Sequence, residues 1–120
     1  IVSLVKVGEH KILITGDIEP EAQREIAPYL SSVDVYKVAH HGSRFQDPEF
    51  TRKLQPKISV ISVGAGNKYG HPALSTLKLL GGSNILRTDK DGAIAIDLRK
   101  NSISSSRVGV FGLPVFWRVS

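Results

Sequence analysis

Four short runs rich in branched apolar residues, at positions 11–15 (KILIT), 33–39 (VDVYKVA), 57–63 (KISVISV) and 84–88 (NILRT), punctuate this chain, and their spacing sets the class of fold. Each is too short for a buried helix and is bounded by turn residues, which reads as a buried strand. The stretches between them carry helix signals. Residues 19–30 predict a helix: Pro20 suits the first turn, Glu21 and Glu25 lie near the positive end of the dipole, and Ala22, Ile26 and Leu30 share a face. Pro28 strains the last turn, so that helix is expected to stop around Ala27. Asp47 as N-cap and Pro48 at the first helical position open a second helix reaching Leu54, and a third spans residues 73–80, closed by Gly81-Gly82. Upstream, residues 1–7 alternate as a strand into a hairpin-type turn at 8–11; downstream, residues 84–88 and 93–98 read as strands around the turn at 89–92. Alternating strands and helices place the chain in the α/β class.

The domain boundary falls at residue 98. Residues 99–120 form a basic, serine-rich and then apolar tail, broken by Gly109, Gly112 and Pro114, which either adds one strand or stays disordered. With no cysteine among 120 residues, disulfides and thiolate metal sites are excluded. No apolar run approaches the ~20 residues needed to cross a bilayer, and no signal-peptide pattern is present. The chain begins with Ile1 inside a strand and has no Met, which is expected of a piece of a longer protein.

The net charge of +5 is unevenly distributed. Residues 1–36 are acidic on balance, whereas residues 37–87 hold eight Lys and Arg against only Asp47 and Glu49. A solvated basic face and a surface for a polyanion both fit this pattern.

The side chains capable of metal or proton chemistry fall just after strands. Asp17 follows KILIT, His40 and His41 follow VDVYKVA, and His71 lies in the glycine-rich loop after KISVISV. Strand ends in layered α/β proteins supply fixed anchor points for reactive groups, so three such loops can converge on one site. Taken singly, Asp17 reads equally as a cap for the helix near Glu19. As neighbours on a strand, His40 and His41 would point to opposite sides, so one of them faces a given pocket. His71, between Gly70 and Pro72, reads as a nitrogen ligand or as a helix-start histidine packed on Tyr69. His10, in a turn among charged residues, is expected at the surface.

Four strings, LITGDIE (13–19), VAHHGSRFQDP (38–48), ISVGAGNKYGHP (61–72) and LRTDKDGAIAI (86–96), together resemble the C-terminal metallo-β-lactamase-like segment of ComEC-type DNA-internalisation competence proteins. The order TGD, HHGS, YGHP carries the resemblance, which spans residues 1–98. It implies half of an αββα sandwich, a mixed β-sheet with helices packed on one face. It also implies metal-dependent phosphodiester hydrolysis on one or two divalent ions, zinc or manganese, acting on the non-transported DNA strand during uptake. Asp17, His71 and His40 match ligand positions. His40 and His41 match the HHGS motif, with His40 preferred near the metal and His41 as the acid or phosphate contact. Ser43, Arg44, Asn67 and Lys68, with Arg87 further off, are expected to hold the DNA backbone.

The family's main metal motif, His-x-His-x-Asp-His, is absent from this sequence. The expected partners are therefore the rest of the same polypeptide (the N-terminal half of the domain and a membrane channel in the bacterial plasma membrane), DNA and other DNA-uptake proteins. The piece alone is expected to be inactive and prone to self-association. A metal-free DNA-binding or assembly module, and a small-molecule metallohydrolase, are the competing readings.

Overall fold

A computed structural model describes residues 1–98 in full and, beyond them, the backbone of two strands, Ile103–Val108 and Pro114–Val119. The main sheet has five strands in the order β1 (Val2–Val7), β2 (His10–Thr15), β3 (Val35–Lys37), β4 (Ile58–Ile61) and β5 (Asn84–Arg87). β1 pairs antiparallel with β2 through a two-residue loop, where Gly8 adopts φ 59°, as the first central position of a tight hairpin turn demands. The remaining pairs are parallel, so each needs a crossover.

Those crossovers are α1 (Pro20–Ile26), α2 (Pro48–Leu54) and α3 (Leu74–Leu79). Because the strands are laid down in one direction across the sheet, crossovers of one hand place all three helices on the same face. The core bears this out. Leu13, Tyr36 and Ile61 from the strands, and Val38 just after β3, pack with Phe50 and Leu54 of α2, Ile26 of α1 and Leu77 of α3. Tyr36 meets Phe50 edge-on, at 6.1 Å between ring centroids and 74° between planes. On the opposite face Val35, Ile58 and Leu86 are covered by Ile94, Ile96 and Leu98. Ile94 and Ile96 belong to β6 (Ile94–Asp97), which forms a second, antiparallel sheet with β7 (Ile103–Val108) and β8 (Pro114–Val119). The chain is therefore α/β, with a mixed sheet and helices on one face, compatible with half of an αββα sandwich. No described helix is long and apolar enough to cross a membrane.

As Pro28 predicts, the first helix ends at Ile26 with Ala27 as its C-cap, and residues 27–29 continue as a 3-10 turn, because Pro28 has no N–H for another α-helical bond. Other local expectations are corrected. Within the segment 33–39 the paired strand covers only Val35–Lys37. Residues 84–88 and 93–98 contribute to different sheets, since residues 88–91 form a helical turn, α4 (Thr88–Asp91), and not a hairpin. His10 is buried at the start of β2, with Nδ1 3.8 Å from Asp34, so it belongs to the packing at the strand N-terminal ends. The tail contributes two strands; residues 99–102, 109–113 and 120 lie outside the described set.

Candidate functional site

The site is assembled at the C-terminal ends of β2, β3 and β4, the edge of a parallel sheet where exiting loops are free to carry reactive groups. The turn after β3 decides its geometry. Residues 39–42 form a 3-10 turn in which His40 (φ 51°), His41 (φ 54°) and Gly42 (φ 75°) are consecutively left-handed. Such backbone costs of order 1–3 kcal/mol per non-glycine residue and persists only where the surroundings over-determine it.

Here they do. The His40 N–H donates to the Gly16 carbonyl at 3.0 Å, and the Ser43 N–H donates to the His40 carbonyl at 2.9 Å. Ala73 N–H donates to the Gly42 carbonyl at 2.8 Å. Gln46 Nε2 donates to the carbonyls of Ala39 (3.0 Å) and Ser43 (3.1 Å), and Gln46 Oε1 accepts from fully buried Gln23 of α1 at 3.0 Å. Ala39 N–H donates to the Tyr36 hydroxyl at 3.2 Å; burial pushes that hydroxyl's pKa up, so it stays neutral. Gly42 is required twice over, by its φ and because a Cβ there would lie 2.7 Å from Pro72 Cβ.

This turn places both imidazoles at one rim instead of on opposite faces of a strand. His41 Nε2 lies 3.5 Å from Asp17 Oδ1, and His40 Nδ1 lies 3.9 Å from Glu19 Oε1. The His40 ring centroid is 6.5 Å from that of His41 and 6.0 Å from that of His71. Asp17 does not cap α1, whose N-cap residue is Glu19. The imidazole within ion-pair distance of Asp17 is that of His41.

His41 is oriented by its other nitrogen. Nδ1 lies 2.7 Å from the Ser62 carbonyl, which can only accept, so Nδ1 carries a proton. In the neutral ring Nε2 is then a lone pair aimed at a carboxylate. Nε2 and Asp17 Oδ1, both on the solvent side of the rim, are a pair of acceptors that can engage a cation. His40 Nδ1 is buried and has no hydrogen-bond partner. Among the described residues no group of three or more His, Asp or Glu is close enough to form a metal site on its own.

The expected phosphate contacts divide. Arg44 and Lys68 are exposed, but Ser43 is 1% exposed. The Ser43 hydroxyl accepts from Phe45 N–H and its carbonyl accepts from Thr76 Oγ1, so this buried residue holds the turn from inside. Asn67 is likewise committed to its own loop: Nδ2 donates to the carbonyls of Gly64 and His71, and Oδ1 accepts from the N–H groups of Tyr69 and His71. Arg87 is tied to Asp89 in a two-bond fork at 3.0 and 2.6 Å. Glu19 and the Ser62 carbonyl were missed in the sequence. Glu19 had an ordinary reading as a helix-start acid, and no side-chain pattern marks a carbonyl.

The chain is 37% identical over 114 residues to ComE operon protein 3 of Bacillus subtilis, an alignment covering 91% of this chain and 14% of that protein. It is 34% identical over 80 residues to Recombination protein 2 of Haemophilus influenzae, covering 66% of this chain and 10% of that protein. Competence protein ComA of Neisseria gonorrhoeae is 28% identical over 120 residues, with 95% of this chain and 17% of that protein covered. The chain is homologous to a segment of ComEC-type competence proteins. It spans less than a fifth of the length of each of these ComEC-type relatives. No family profile and no solved structure matches it.

Proposed function

We propose that the chain forms the C-terminal half of a metallo-β-lactamase-like domain that hydrolyses DNA phosphodiester bonds during DNA uptake, on the strand that is not transported. The observation that carries this reading is the pairing of Asp17 with His41, oriented through the Ser62 carbonyl. A carbonyl-anchored imidazole presenting Nε2 beside a carboxylate fits a divalent ion such as zinc or manganese. Asp17 and His41 would hold that ion, His71 and the His40 ring lie within reach of the same rim, and the remaining ligands would come from another segment of the intact polypeptide. When bound, the ion supplies Lewis-acid polarisation of phosphoryl oxygen and activation of water.

The other groups act as protein chemistry. The Ser62 carbonyl keeps the His41 proton on Nδ1. His40, whose Nδ1 lies 3.9 Å from Glu19 Oε1, would serve as the proton donor to the departing sugar oxygen. Arg44 and Lys68 orient the phosphates, so binding weakens with salt. The open, cation-bearing surroundings support a polyanion over a small enclosed substrate.

The test is DNA cleavage by the intact polypeptide in manganese. Asp17→Asn and His41→Gln are expected to abolish cleavage, and His40→Gln to slow it about 100-fold or more. Undiminished cleavage by Asp17→Asn overturns the assignment. Intact DNA binding without cleavage by the wild type, at any divalent ion, selects the metal-free binding module.

A further inference from the structure

Beside the imidazoles lies a cleft of about 440 Å³ lined by Arg44, Phe45, Tyr69, Gly70, His71 and Ala73. Two of its walls are aromatic and uncovered: Tyr69 is 83% exposed and Phe45 50%. A single exposed aromatic is ordinary, but two facing one cleft, beside a proposed phosphodiesterase site, need a reason.

Both are held by backbone. The Tyr69 N–H is bonded to Asn67 Oδ1, and the Asn67 side chain closes the loop from Gly64 to His71 with three further bonds. The Tyr69 ring stacks on His71, 6.0 Å between centroids and 23° between planes, so one of its faces is already set parallel to a site imidazole. Across the cleft the Phe45 N–H is tied to Ser43 Oγ, and the Arg44 guanidinium lies 4.8 Å from the Phe45 ring centroid. Pre-set aromatic faces beside the cation Arg44, with exposed Lys68 adjoining Tyr69 in the chain, are the combination that single-stranded nucleic acid uses, with bases on rings and phosphates on charges. A duplex keeps its bases stacked on one another and offers nothing for those rings.

We propose that this cleft is a base-stacking subsite, in which an unstacked nucleobase of a single DNA strand lies against Tyr69 and Phe45 and thereby sets the adjoining phosphodiester over His71 and His40. The inference rests on the reading of the site as a DNA phosphodiesterase and adds to it the state of the substrate, a strand with at least one unpaired nucleotide.

The test uses the full chain and single-stranded oligonucleotides bearing 2-aminopurine, whose fluorescence is quenched on stacking, or an abasic residue at the same position. Wild type is expected to change the 2-aminopurine signal on binding and to bind the abasic strand on the order of ten-fold more weakly. Tyr69→Ala should lose that discrimination and Tyr69→Phe should keep it. Equal affinity of the wild type for both strands, or unchanged discrimination in Tyr69→Ala, overturns the proposal. The abasic arm needs no mutant protein, so a folding defect cannot mimic the result. Cleavage of the same strands by the intact polypeptide separates this inference from its premise. Equal cleavage of both strands leaves the nuclease reading standing and removes the subsite, whereas stacking without cleavage in any divalent ion does the reverse.

Discussion

Gly42→Ala isolates the backbone requirement behind the site. At φ 75° an alanine is left-handed, which costs about 1–2 kcal/mol. Its Cβ would also lie 2.7 Å from Pro72 Cβ and 3.2 Å from Pro72 Cα, too close for either to stay in place. Overpacking of this kind costs about 1–3 kcal/mol, so the total is roughly 2–5 kcal/mol. In a chain of 120 residues, each kcal/mol lowers the melting temperature by about 4 °C, giving a fall on the order of 8–20 °C. Gly8→Ala is the internal control. Gly8 has φ 59° but nothing within 4 Å of the added methyl, so only the conformational cost applies. The reduced freedom of the unfolded chain is common to both variants and cancels. Thermal melts and urea titrations with unchanged m-values measure the two losses. Equal destabilisation by both variants would show that Pro72 does not press on the histidine turn, and the argument for a clamped turn would fail.

Gln23→Leu is expected to destabilise by roughly 3 kcal/mol in urea unfolding, because it strands the Asp47 N–H, Gln46 Oε1 and the Ile18 carbonyl in the interior; a loss below about 0.5 kcal/mol would contradict the hydrogen-bond assignment. Asp89 is held below the usual carboxylate range, chiefly by its hydrogen bonds from Arg87. A depressed folded-state pKa gives stability that is present above the unfolded value near 3.8 and lost as pH falls through the folded value. Asp89→Asn should therefore flatten the acid limb of the stability–pH curve below about pH 4, and an unchanged slope would refute the linkage.

What could be read in the sequence was local, and what could not was distant. The branched apolar runs at 11–15 and 57–63 became β2 and β4, with Leu13 and Ile61 in the core under the helices and Ile58 on the opposite face. Asp47 caps α2 as its chemistry predicts, its Oδ2 accepting from Phe50 N–H at 3.0 Å. The strand signal at 33–39 failed at its end because Gly16 and Ala73, remote in sequence, and Gln46, a few residues further on, supply the bonds that bend residues 39–42 out of the strand. Histidine is enriched at left-handed positions only relative to other non-glycine residues, too weak a signal to announce this turn. Asn67 looked like a ligand contact from its place in a glycine-rich loop, yet amides fit equally well as internal ties, and here the loop uses all of its capacity. The convergence of Asp17 and the histidines was suggested by their position after strands. Which imidazole met the carboxylate was settled by the twist of the turn.

The left-handed histidine pair has a cost that selection for stability alone would remove. Glycine or asparagine sits more comfortably than histidine at φ near 50°, so a drift toward sturdier sequences at positions 40 and 41 would trade imidazoles for residues with no proton to give. Keeping both imidazoles makes this rim unforgiving to optimise, and a variant library ranked by thermal robustness alone would put its chemistry at risk.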